Sequence, residues 1–288
     1  MTPSKDGLRP KIGLALSGGG ARGLAHIGVL KVLEREGVPI DLLAGTSMGG
    51  VVAGAYAAGL TPGFMEAEAL RMTNPRRLLS LADPTLPRRG LFEGRKVIDY
   101  LAGHLGDCTF EGLQCPLSLI AVSLEASEPV ILNEGRVTDA IRATIALPGL
   151  FKPVERDGQL LVDGGLLDNL PADVARQMGA EVVIAVDVIG ENSTFSAMIK
   201  TLREHRYVPA GLASTFDVML RSLDVMMREI NRRRLMEAAP EIIIRPDVPP
   251  GVSVLLGFTR AAEAIRLGEE AAEDALPEIE SVLETAKS

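Results

Sequence analysis

Tryptophan is absent from this chain of 288 residues, and aromatic residues make up only 3% of it. Proteins that read nucleic acid stack bases on aromatic rings and present a basic face to the phosphates. Here the formal net charge is −8 and no basic cluster of that kind is visible, which sets nucleic acid aside as a partner. Cysteine is nearly as scarce. Cys108 and Cys115 are the only two, too few for a disulfide framework, and buried or free thiols are expected. Histidine is limited to His26, His104 and His205, and no His/Cys/Asp cluster has ligand spacing, so neither a metal nor a cofactor is expected. Long apolar runs are lacking too. The longest uncharged stretch, Leu42–Met65, is interrupted by Gly45, Gly49, Gly50, Gly54, Gly59 and Pro62, and so does not read as a membrane span. Met1–Pro10 is polar and charged, without the apolar region of a signal peptide. Residues 1–10 are therefore read as a disordered lead-in and residues 11–288 as one domain, cytoplasmic and at most peripheral to a membrane. No internal repeat or low-complexity tract is seen, and nothing in the sequence speaks to oligomeric state.

What is present is apolar residues, 47% of the chain, enough to bury a parallel sheet between helices. The organising stretch is Lys11–Gly59. Two short apolar runs, Ile12–Leu16 and Ile40–Ala44, each lead into glycines and then into a helical pattern. That is a βαβα unit, whose crossover makes the strands parallel. The second turn reads Gly45-Thr46-Ser47-Met48-Gly49, a G-x-S-x-G match. A serine on a tight strand-to-helix turn needs small neighbours for close chain passage. It ends with its hydroxyl exposed above the sheet and at the positive end of the next helix. The first turn reads Gly18-Gly19-Gly20-Ala21-Arg22-Gly23. Its backbone N–H groups can face an anion, with a helix from Ala21 adding its dipole. An oxyanion cradle at Gly18, Gly19 and Gly20 beside an attacking Ser47 is what acyl transfer requires.

Taken in order, SGGGARG, then GTSMGG, then Asp163-Gly164-Gly165, the chain resembles the patatin-like phospholipases, in particular their bacterial members and the neuropathy-target-esterase-type catalytic domain. The resemblance runs from about Lys11 to about Asp187 and more loosely to the C-terminus. Ser17 stands where plant patatins carry Asp, a change that leaves the glycine loop intact. The resemblance implies an α/β fold of three layers related to the α/β-hydrolases. It also implies a serine esterase acting on phospholipid or lysophospholipid esters, with reversible contact with a membrane surface. Ser47 would be the nucleophile and Asp163 the proton acceptor of a catalytic dyad, supported by Arg22, Gly23, Gly45, Gly49, Gly164 and Gly165. Arg22 in particular is weighed as a cation that locks the loop or neutralises charge beside the oxyanion site, against an exposed arginine in a first helical turn.

Two other readings stay open. A Ser47, Asp163, His205 triad fits the chain order of the general α/β-hydrolases. Gly18, Gly20 and Gly23 after a strand also match a dinucleotide-binding fingerprint, although the acidic ribose partner expected at the end of the second strand is missing, Asp41 lying at its start.

The remaining pattern is coarser. Leu60–Gly90 loses periodicity and carries Pro62, Pro75, Pro84 and Pro87 with Arg76, Arg77, Arg88 and Arg89. It reads equally as a lid of short helices or as a solvated connection. Helices are expected at Phe92–Leu105, Val137–Ile145, from Asn169 to about Met178, at Phe216–Ala239 and at Thr259–Leu283. Strands are expected at Leu117–Ser123, Val130–Leu132, Leu160–Val162, Val182–Val188 and Ile242–Ile244. Ser193–Arg206 is poorly patterned. In Phe216–Ala239 an apolar stripe of Phe216, Met219, Leu220, Leu223, Met226, Met227, Ile230 and Leu235 reads as a packing face or a pliable surface for acyl chains. His26 reads as a packed histidine and His104 as a surface one.

Overall fold

The computed structural model describes residues 9–85, 90–189, 210–249 and 257–285. Its centre is β1 (Ile12–Leu16), flanked by β2 (Leu42–Thr46) and β7 (Val182–Val186), all three buried along their whole length. Only strands covered on both faces can be apolar at every position, and that composition belongs to parallel sheets. The pairing agrees. β1 runs parallel to β2 and β7, β2 to β3 (Leu117–Ser123), and β7 to β8 (Ile242–Ile244). β4 (Glu128–Leu132) and β6 (Gln159–Asp163) lie antiparallel on β3, and β5 (Val154–Arg156) antiparallel on β6. The order across the sheet is β5-β6-β3-β2-β1-β7-β8, with β4 as a second partner of β3.

Helices cover both faces. On one side lie α1 (Ala25–Arg35), α2 (Met48–Ala57), α6 (Val137–Thr144) and α9 (Ala261–Thr285), sharing a core with Leu14, Leu16, Ile184 and Val186. On the other, α7 (Ala172–Gln177) and the end of α8 (Ala210–Ala238) pack on Ala15, Ala44, Val183 and Ala185. The alternation of β1 residues between the two cores is the period-2 rule at work. The expected parallel-rich, three-layer α/β architecture is thus what the chain adopts.

The Pro-rich stretch after α2 forms α3 (Pro62–Arg71) and α4 (Pro75–Ser80). Each proline opens a helix instead of breaking one. Thr61 and Asn74 are the caps, their side-chain oxygens accepting from the N–H groups of Phe64 and Arg76. α5 (Arg95–Leu105) follows. Two expectations shift at their edges: Arg9, in the stretch read as a disordered lead-in, is tied to both Asp41 carboxylate oxygens at 2.6 and 2.7 Å. The Met-rich stripe on α8 divides, Met227 being buried and Met226 60% exposed, while the side chains of Phe216, Met219, Leu220 and Leu223 lie outside the described residues. Ser193–Arg206, Pro87, Arg88 and Arg89 lie outside them as well. Among the described residues no helix is long and apolar enough to cross a membrane; Leu42–Met65 is divided among β2, α2 and the start of α3.

One feature of the sheet positions the site. β2 pairs with Leu117–Ile120 of β3 and ends there, Thr46 opposite Ile120. β4 occupies the other edge of β3 over Leu119–Ser123. β6 pairs with Ala121–Ser123, so it must lie on the edge that β2 has vacated, with Asp163 opposite Ala121. One edge of β3 is shared end to end by two strands of opposite direction.

Candidate active site

The turn after β2 places Ser47 at φ 52° and ψ −122°, a left-handed conformation that an L-residue adopts at a cost of about 1–3 kcal/mol. Surrounding contacts hold it there. The Ser47 N–H donates to Thr144 Oγ1 at 2.9 Å, and the Thr144 hydroxyl donates in turn to the carbonyl of Ile120 on β3. Thr46 Oγ1 donates to the carbonyl of Asp168 at 2.8 Å. Gly49 lets α2 press onto β1: a Cβ at this position would lie 2.2 Å from the Leu16 carbonyl oxygen.

Because β6 continues the β3 edge beyond Ser47, Asp163 faces the serine directly. The Ser47 hydroxyl donates to Asp163 Oδ2 at 2.6 Å. The other carboxylate oxygen, Oδ1, accepts from the Gly165 N–H at 2.8 Å, and the Asp163 N–H is anchored on the Ala146 carbonyl at 3.0 Å. Asp163 is 3% exposed. Burial disfavours its charge and raises its pKa to about 6, against the lowering effect of the bonds from Ser47 and Gly165.

The glycine turn lies on the other side of Ser47. It is not an α-helix from Ala21; Gly20–Leu24 is a 3-10 turn and α1 starts at Ala25. Gly18 does not offer its N–H to an anion, since that group donates to the Asn169 carbonyl at 3.0 Å. Among the described residues no hydrogen bond outside the regular elements takes the N–H of Gly19 or of Gly20. These two glycines share a cavity with Ser47 and Asp163. Ser17 secures the turn, its Oγ accepting from the Val188 N–H beyond β7 at 3.0 Å. Gly23 packs under the start of α2: a Cβ there would be 2.5 Å from Met48 Cγ. Arg22 is 2% exposed, not an exposed first-turn arginine, and does not line the cavity.

The dinucleotide reading meets two obstacles. Gly23 is small because Met48 lies against it, and Asp41 sits at the opposite ends of β1 and β2, accepting from Arg9 and from the Ile12 N–H. His26 is fully buried, donating from Nε2 to the Ser17 carbonyl at 2.8 Å, and burial lowers its pKa to about 4, so it is neutral at physiological pH. His104, read as a surface histidine, is partly exposed and also faces inward. It packs edge-on against Phe64 and Tyr100, with ring centroids at 5.3 and 4.9 Å, and lines the cavity. His205 lies outside the described residues.

The cavity has a volume of about 520 Å³ and is walled mainly by aliphatic side chains, among them Ile27, Val51, Met65, Ala69, Leu101 and Met227. A serine hydroxyl bonded to a buried carboxylate at the wall of such a space suits an ester with a hydrocarbon tail. Sequence reasoning missed Thr144, Asn169 and Asp168. Thr144 is the last residue of α6, a helix expected from its pattern with no role assigned to this side chain. Asp168 is wholly buried, with its pKa raised to about 7 by burial and by neighbouring Asp173, and Arg234 of α8 reaches both acids. Among the described residues no group of three or more His, Cys, Asp or Glu could hold a metal ion.

A sequence profile of the patatin-like phospholipase family matches residues 14–176, more than half of the chain. A Mycobacterium tuberculosis protein of the NTE family is 40% identical over 184 residues, covering 64% of this chain and 51% of its own. A second NTE family protein from that organism is 34% identical over 285 residues, covering 93% of this chain and 47% of its own. The chain therefore spans about half the length of these relatives. Among solved structures, human GIVD cytosolic phospholipase A2 superposes with a TM-score of 0.50 at 13% identity, covering 96% of this chain and 60% of its own, a likeness of fold alone. The chain belongs to the patatin-like phospholipase family.

Proposed function

We propose that this member of the patatin-like phospholipase family is a serine acyl hydrolase that cleaves carboxylic esters of phospholipids or lysophospholipids. The observation that carries the reading is the 2.6 Å hydrogen bond from Ser47 to a buried Asp163 at the wall of an aliphatic cavity. Ser47 Oγ attacks the ester carbonyl carbon while its proton passes to Asp163 Oδ2. The oxyanion that forms lies against the N–H groups of Gly19 and Gly20, donors fixed before the charge appears. As the intermediate collapses, Asp163 returns the proton to the departing alcohol, leaving an acyl ester on Ser47. Water then attacks that ester, losing its proton to Asp163, and the collapse expels Ser47 Oγ, which recovers the proton as the fatty acid leaves. A raised pKa suits Asp163 to both directions of transfer better than an ordinary carboxylate.

The acyl chain occupies the aliphatic cavity, and the lipid is met at a membrane surface by reversible contact. The test is labelling with a fluorophosphonate, which phosphonylates an activated serine, followed by peptide mapping. The adduct is expected on Ser47 alone. Labelling at another residue, or none with folded protein, overturns the assignment.

A further inference from the structure

One stretch of chain beside the cavity mouth differs in charge from the rest of the molecule, although the cavity wall itself carries Glu68. Between Ala69 and Ala82 the chain carries Arg71, Arg76 and Arg77 and no acidic residue, in a protein of net charge −8. Arg71 pairs with Glu68. Arg76 and Arg77 are exposed and form no ion pair among the described residues. The same stretch presents apolar side chains to solvent. Leu79 is 71% exposed, the most exposed of the large hydrophobic side chains described, Leu70 is 39% exposed, and Phe64, on α3 before the stretch, is 38% exposed. Single exposed leucines are ordinary. Leu79, however, also lines the cavity that holds Ser47, so the cavity opens to solvent beside α4. α4 is held in place at its start by the Asn74 cap and Pro75.

We propose that α4 is the docking helix for an anionic phospholipid surface, with Leu79 entering the acyl boundary and Arg76 and Arg77 meeting lipid phosphates. Apolar side chains ringed by cations are the composition of interfacial helices. Docked in this way, the cavity mouth faces the membrane, and a lipid passes to Ser47 without crossing water. The inference rests on the lipid-hydrolase reading for its purpose but not for its test. Each arginine near an anionic surface contributes roughly five-fold to partitioning, so the pair gives roughly 25-fold. Added salt weakens that part, because it is screened.

The experiment is co-sedimentation of the purified chain with vesicles of phosphatidylcholine, alone or mixed with phosphatidylglycerol. Binding is expected to the mixed vesicles, to weaken with salt, and to fall roughly 25-fold in Arg76→Ala/Arg77→Ala. That double variant should keep wild-type hydrolysis of a water-soluble short-chain ester and wild-type fluorophosphonate labelling. Leu79→Ser should lower binding roughly ten-fold at an unchanged unfolding temperature. Equal binding to both vesicle types, wild-type binding by the double variant, or a Leu79-dependent dimer in place of vesicle binding each overturns the docking inference. Soluble-ester hydrolysis and labelling judge the hydrolase reading separately, since neither needs a membrane.

Discussion

Thr46 and Asp163 lie against consecutive residues of β3, Ile120 and Ala121, although 117 positions separate them in the chain. That adjacency makes the Ser47–Asp163 bond possible. β2 arrives from one end of the β3 edge and stops; β6 arrives antiparallel from the other end and stops one residue away. The Ser47 turn and the Asp163 carboxylate therefore meet at a seam between two strand ends, where neither side chain is confined by a continuing ladder.

The backbone of Ser47 separates its catalytic and structural roles. Ser47→Ala and Ser47→Gly should both lose several orders of magnitude in kcat, because the attacking oxygen is gone. Their stabilities should differ. Glycine adopts φ 52°, ψ −122° without the Cβ penalty, so Ser47→Gly should unfold about 1 kcal/mol harder than Ser47→Ala in urea. Equal midpoints would show that the turn carries no strain.

Asp163 links activity and stability through pH. Only its ionised form can accept the serine proton, so kcat/KM should fall as pH drops through about 6, not through the usual carboxylate range. Below pH 3.8 the carboxyl is protonated in folded and unfolded chains alike. Between 3.8 and about 6 the folded chain holds a proton that the unfolded chain has released, so this group's contribution to stability declines as pH rises. Above that window the cost levels off on the order of 2–3 kcal/mol. Asp163→Asn keeps the shape and removes the charge. It should be nearly inactive yet more stable than wild type at pH 8, with the gain vanishing near pH 4. Thermal unfolding at the two pH values measures this, and a gain that is the same at both would contradict a buried ionised Asp163.

Thr144 supports the turn through one hydroxyl that serves two backbone groups, the Ser47 N–H and the Ile120 carbonyl. Thr144→Val is nearly isosteric but leaves both without a partner, a cost of about 1–3 kcal/mol for each buried group. kcat should fall roughly ten- to a hundred-fold with little change in KM, since the loss misplaces the nucleophile and not the acyl chain. Thr144→Ser should recover most of the rate. A purely structural role for the threonine would leave kcat unchanged in whatever protein remains folded.

The sequence makes the central strands and the nucleophile turn plain because their signals are local: unbroken apolar runs, then glycines, then a helical period. Leu117–Ser123 and Ile242–Ile244 coincide with the observed strands for the same reason. Of the short β5–β6 hairpin only Leu160–Val162 of β6 is expected from the sequence and β5 is not, although Asp157-Gly158, both at positive φ, is a strong two-residue hairpin turn. α3 and α4 bear out the short-helix alternative for Leu60–Gly90 over the solvated connection; their periodicity is too short to decide between the two, and the deciding signals lie in the caps Thr61 and Asn74 with the prolines that follow. The loss of Gly18 as an anion donor could not be read at all. It follows from a bond to Asn169, 151 positions away, which only the folded sheet brings near. The same holds for Asp163, whose raised pKa comes from burial that no local pattern encodes.

The final prediction decides between dyad and triad. In a triad a histidine stands between the serine and the aspartate, takes the serine proton on one nitrogen and is oriented by the carboxylate through the other. Here the Ser47 hydroxyl already donates to Asp163 at 2.6 Å, which leaves no place for an imidazole between them. His26 cannot serve. Its Nε2 proton is held by the Ser17 carbonyl, and a group with pKa lowered to about 4 by burial is a poor acceptor at neutral pH. His104 is engaged with Phe64 and Tyr100. His205 remains as the histidine that the chain order would nominate. His205→Ala should keep kcat within a few-fold of wild type and retain the acid limb near pH 6, because that limb belongs to Asp163. A triad demands the opposite: a loss of roughly 10⁴-fold or more on removal of the histidine, comparable to Ser47→Ala. Measured on a soluble ester with folding checked by circular dichroism, an inactive but folded His205→Ala protein would falsify the dyad.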